Sequence, residues 1–75
     1  MNATRRKAIT EAAAKLREII SQIETLRDEE QEYHDNMPES FQAGEKGEKA
    51  QAAIDVLEFV INDTEGAADQ LESIE

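Results

Sequence analysis

The sequence has no cysteine and no tryptophan, and only one proline, one histidine and one tyrosine. Without cysteine there is neither a disulfide staple nor a thiolate metal site. A chain of 75 residues buries only about 60% of the surface that it exposes when unfolded. Its remaining routes to stability are well-packed helices or association with another copy. No apolar run approaches the roughly 18 residues that a membrane span needs, and the basic N-terminus has no apolar segment of a secretory signal behind it. A soluble cytoplasmic protein is therefore expected, with no membrane partner.

Positive charge is scarce as well: eight Lys and Arg stand against 18 Asp and Glu, for a formal charge of −10. The distribution is uneven. Residues 1–27 carry six basic and three acidic side chains, whereas residues 28–75 carry two basic and fifteen acidic ones. So acidic a body repels phosphates and argues against direct nucleic-acid binding. It suits a basic partner surface or a protein that imitates nucleic acid, and it also serves plain solubility.

Apart from these scarcities the chain is helical in pattern. Apolar residues recur at Ile9, Ala12, Leu16, Ile19, Ile23, Leu26 and Tyr33, in alternating steps of three and four broken only at Glu30. That spacing predicts a helix over about 4–34, some 45 Å long, packed lengthwise on another helix. Ala8, Ala13 and Ile20 widen its stripe, and Thr4 is the expected N-cap. A second helix is expected over about 47–74, with Ala50, Ala53, Ile54, Leu57, Val60, Ile61, Thr64, Ala67, Ala68, Leu71 and Ile74 in its stripe. Gly66 is its weak point, at a cost of roughly 1 kcal/mol against alanine, but the apolar register crosses it without a phase shift. The prediction is all-α: an antiparallel two-helix hairpin, with a connector at 35–46. Arg5, Arg6 and Lys7 would then lie beside Asp69, Glu72 and Glu75, each helix end neutralising the other's unfavourable charge.

Such a hairpin cannot cover its own apolar faces. Ala52, Val56 and Phe59 fall outside the stripe of the second helix and extend its apolar arc to roughly 200°. They are the expected self-association surface, completing a four-helix bundle by homodimerisation or in a higher oligomer.

The connector "YHDNMPESFQAGEKGEK" collects the unusual residues. Asn36 and Glu39 read as a capping box around Pro38. Met37 and Phe41 serve as apolar plugs, and Gly44 or Gly47 opens the second helix. A ligand reading stands beside this one: Tyr33, His34, Phe41, Lys46 and Lys49 form an aromatic and basic corner for an anion or nucleotide. Glu30 and His34 could meet on one face, but two ligands do not make a metal site. No arrangement supports nucleophilic catalysis, so neither enzyme activity nor a cofactor is expected.

The runs Asp28–Tyr33, Asn36–Ser40 and Gly44–Glu48, leading into Ala53-Ile54-Asp55, resemble a group of short acidic helical proteins encoded by bacteriophages and prophages. The resemblance spans roughly residues 25–75 and carries over no functional residue. It implies a phage setting, hence the host cytoplasm, and a non-enzymatic protein that binds a host protein, one with a basic surface on the charge reading above, as an inhibitor of an antiviral factor. Glu58, Asp63, Glu65, Asp69 and Glu72 are the expected acidic partner surface. Nucleic-acid mimicry, a ligand sponge at the connector and a structural part in a phage assembly are the other readings.

Overall fold

The computed structural model describes residues 1–75. Helix α1 spans Ala3–Asp35, a single turn α2 spans Glu39–Gln42, and α3 spans Glu45–Glu72. Helices α1 and α3 fold back on each other as the antiparallel hairpin expected from the sequence. Helix α3 runs through Gly66 as one helix. No helix is long and apolar enough to cross a membrane.

The caps differ from expectation. Asn2, not Thr4, caps α1, its Oδ1 accepting the Arg5 N–H at 2.7 Å. Asn36 caps no turn: it closes the C-terminus of α1, and its backbone N–H donates to Glu32. Pro38 occupies the N-cap of α2 without any side-chain bond, so the capping box does not form. Its carbonyl accepts from the N–H groups of Phe41 and Gln42. The corner is instead clamped by the Gln42 amide, which donates to the Met37 carbonyl at 2.9 Å and more loosely to that of Asp35 at 3.4 Å. Gly44 is the N-cap of α3, and Glu45 and Glu48 lie in its first turn, where the positive end of the helix favours them.

Gly47 is required by close approach. A Cβ there would lie 2.6 Å from the Gln42 Cα and would strike the Gln42 carbonyl harder still. The end of α2 therefore packs on bare backbone at the start of α3.

The core is thin. Ala13 and Ile20 of α1 are buried against Gly47, Ala50, Ile54, Ile61 and Ala68 of α3. Only three of these side chains are larger than alanine. Nine large apolar side chains remain exposed. The molecule measures 59 × 14 × 12 Å, with a radius of gyration of 17.2 Å, against about 11 Å for a compact chain of this length. Its surface of 5553 Å² exceeds the roughly 4,600 Å² of a compact monomer of this mass.

The seam also corrects the expected register of α1. Ala13 and Ile20, taken as the margin of the stripe, are its centre. Ala12, Ile19, Leu26 and Tyr33, taken as core, are exposed, the last three by 45%, 53% and 54%. Helix α1 is thus turned by about one residue's rotation, roughly 100°, from the arrangement that would centre its largest apolar side chains.

Candidate functional site

The two helices have the same plan around the seam. On α1 the buried line passes through Ala13 and Ile20; on α3 it passes through Ile54, Ile61 and Ala68. Residues one place before the buried line are apolar on both helices: Ala12, Ile19, Leu26 and Tyr33 on α1, and Ala53, Val60 and Ala67 on α3, with Ile74 in the same register just past its end. Residues four places after it are polar: Arg17, Glu24 and Gln31 on α1, and Glu58, Glu65 and Glu72 on α3. In an antiparallel pair, positions with the same offset from the seam share a flank. Contact between Arg17 and Glu72 demonstrates this, since each lies four residues beyond a buried alanine. The hairpin therefore has one apolar flank and one acidic flank.

Arg17 makes the only side-chain hydrogen bonds between α1 and α3. Its Nε and Nη2 donate to the two carboxylate oxygens of Glu72 at 3.3 and 2.6 Å, and Nη2 also donates to Asp69 at 2.6 Å. These bonds from Arg17 hold the Glu72 carboxyl below its ordinary range, and the two carboxylates hold the Arg17 guanidinium protonated. All three side chains are well exposed. The expected neutralisation of Asp69 and Glu72 is thus real, but Arg17 performs it. Arg5, Arg6 and Lys7 make no ion pair. They lie on an overhang, because the stagger sets Arg17, not the start of α1, against the end of α3. A cleft of about 420 Å³ marks the step, with Ile9, Leu71 and Ile74 among its lining.

Of the residues expected to form the acidic surface for a basic partner, Glu58, Glu65, Asp69 and Glu72 line the acidic flank, joined there by Asp55. Asp63, two places beyond Ile61, points away from that flank along the outer side of α3. Glu58 and Glu65 have no ion-pair partner. Ala52, Val56 and Phe59 are exposed, Val56 by 60% and Phe59 by 70%, as their place off the stripe implies. The depression beside Phe59 is bounded only by Asp55, Glu58 and Asn62 of its own helix and has no second wall.

The connector residues are largely engaged with one another. Lys46 lies 5.3 Å from the centre of the Phe41 ring, and Lys49 pairs with Glu45 at 3.1 Å. Phe41 is half exposed under that lysine, and Tyr33 is exposed. His34 is turned inward: its Nδ1 is buried with no hydrogen-bond partner, 3.7 Å from an Asp35 carboxylate oxygen. Neither cavity of the molecule reaches these residues. Glu30 is half-buried and forms no side-chain hydrogen bond or ion pair, and no group of three metal-type ligands comes together. Sequence reasoning missed Arg17. Its signal was its place four residues after an alanine on the seam, which is readable only once the seam is known.

Comparison of the chain with protein families, with curated proteins and with solved structures found no match.

Proposed function

We propose that this chain is a non-enzymatic interaction protein whose acidic flank binds a basic surface of another protein. The observation that carries this is the row Asp55, Glu58 and Glu65: two exposed carboxylates and one half-buried, none with an internal cation, held on one helix next to the Arg17-bound pair. Rigid presentation lowers the ordering cost of binding, and the charge steers a basic partner toward it. In the phage setting that the resemblance implies, the partner is a host protein, and blocking an antiviral factor is the role assigned.

Charge density favours a protein partner over nucleic-acid mimicry. Asp55 to Glu72 covers about 26 Å of helix, so its five flank carboxylates fall roughly one per 5 to 6 Å. Duplex DNA carries one charge per about 1.7 Å, and Arg17 already answers two of the five.

The test is affinity capture from host lysate with the wild-type chain and with Glu58→Lys/Glu65→Lys. A protein retained by the wild type, released by moderate salt and absent from the variant is the expected result. Equal retention by the variant would place binding elsewhere and overturn the assignment.

A further inference from the structure

We infer that the apolar flank is the seat of a second copy of this chain, and that the two hairpins lie antiparallel, each basic overhang against the other's acidic connector end. This stands apart from the acidic-flank reading, because the flank it uses is the opposite one.

Three observations choose the occupant. The first is area. The hairpin exposes roughly 900 Å² more than a compact monomer of its mass, close to the ~800 Å² that each partner contributes to a standard interface. The second is pattern. Ile19, Leu26 and Tyr33 on α1, with Ala53, Val60 and Ala67 on α3 and Ile74 just past its end, form two parallel rows flanking the half-buried Leu16, Ile23, Leu57 and Leu71. Rows at seven-residue spacing on both helices of a hairpin are what lengthwise helix packing requires, and a second hairpin closes them into a four-helix bundle.

The third is charge, and it sets the orientation. Residues 1–10 carry Arg5, Arg6 and Lys7 and no acid, while residues 28–48 carry eight acids and one lysine. These two segments lie at opposite ends of a molecule 59 Å long. With the dyad along the hairpin axis, overhang would meet overhang and acidic end would meet acidic end. With the dyad across the axis, each overhang reaches past its own α3 to lie beside carboxylates of the other copy. The overhang that leaves Arg5, Arg6 and Lys7 without an internal carboxylate is then explained by external ones. Phe59, on the outer side of α3, stays outside this dimer.

The absence of cysteine makes the orientation directly measurable. A single spin label on Thr4→Cys, in the overhang, reports its distance to the same label in the other copy. Antiparallel packing predicts about 50 Å, from the helical rise between the two ends; a parallel dimer would bring the labels within about 20 Å. The mass of wild type, Leu26→Glu and Phe59→Asp by sedimentation completes the test, with helicity followed by circular dichroism. Wild type and Phe59→Asp should be dimers and Leu26→Glu a monomer. If Leu26→Glu loses its helicity, the labelled chain alone decides. A monomeric wild type, a short label distance, or a dimer lost with Phe59→Asp but kept with Leu26→Glu each overturns the proposal. None of these outcomes depends on whether a host partner is captured by the acidic flank.

Discussion

The two ends of the hairpin are held in different ways. At the closed end, α2 packs on the backbone of Gly47, and the Gln42 amide ties the corner to the end of α1. These are contacts of shape and of neutral hydrogen bonds between residues close in sequence. At the open end α1 runs past α3, and the polar tie between the helices is the exposed Arg17 cluster, joining residues more than fifty positions apart. The closed end is built from what its own segment specifies. The open end depends on where the helices happen to stop and on charges that water and salt weaken.

If that contrast is right, the greatest loss comes from the closed end. Gly47→Ala forces a methyl into the Gln42 backbone, which has no rotamer by which to yield. The expected cost is about 3 kcal/mol, the upper part of the range for overpacking, read as a lower urea midpoint. A change below about 0.5 kcal/mol would mean that the corner gives way easily and is not what fixes the hairpin. Gln42→Ala removes the clamp but leaves the packing. It should cost about 1 kcal/mol, the usual net value of hydrogen bonds replaced by water.

Gly66→Ala should act in the opposite direction. Gly66 lies in the half of α3 nearer the open end, has a helical backbone with negative φ, and has nothing within 4 Å of an added Cβ. Stabilisation of roughly 1 kcal/mol is expected from helix propensity alone. The same chemical change thus has opposite signs at Gly47 and Gly66, and the sign is set by the neighbours rather than by the residue.

Most of the architecture could be read from the sequence, and the reasons for the exceptions are particular. Two long helices, a structured corner and an unbroken α3 follow from periodicity and the sparse breakers; the caps did not, since Asn2 and not Thr4 caps α1 and no capping box forms at Asn36 and Glu39. The register of α1 did not follow. Its apolar arc includes Ile9, Leu16 and Ile23, with Ile19 and Leu26 on one side and Ala13 and Ile20 on the other. Periodicity gives the width of such an arc, but not how it is divided between the neighbouring helix and anything else. Centring the largest side chains is the natural guess for an isolated pair. The structure instead spends the small Ala13 and Ala68 on close approach and leaves Leu26 and Tyr33 outside. The stagger was illegible for a related reason: it rests on α1 having 33 residues and α3 only 28, with a corner between them whose geometry no local pattern states. At the connector, the aromatic and basic residues were legible as a cluster. That Lys49 faces Glu45 and Lys46 faces Phe41 was not, because both partners lie within the same short segment and compete with any ligand.

The smallest effect expected is at the open end, and pH isolates it. Hydrogen bonds from Arg17 lower the pKa of Glu72 in the folded chain. A carboxyl whose folded pKa is depressed contributes stability above its unfolded value, near 4.3, and loses that contribution as pH falls through the folded value. Glu72→Gln should therefore lower the thermal midpoint slightly at pH 7, and the gap should close on acidification below the ordinary carboxylate range. Removing one negative charge from a chain of net charge −10 also relieves repulsion, which works in the opposite direction. Glu65→Gln supplies the correction, since it makes the same charge change four residues from a seam residue but without an arginine partner. The difference between the two variants is then the Arg17 tie alone, and 0.5 M salt at pH 7 should shrink it as acid does. A difference that persists at pH 2 would show that the Glu72 side chain acts through packing, and the open end would then be held by the same kind of contact as the closed one.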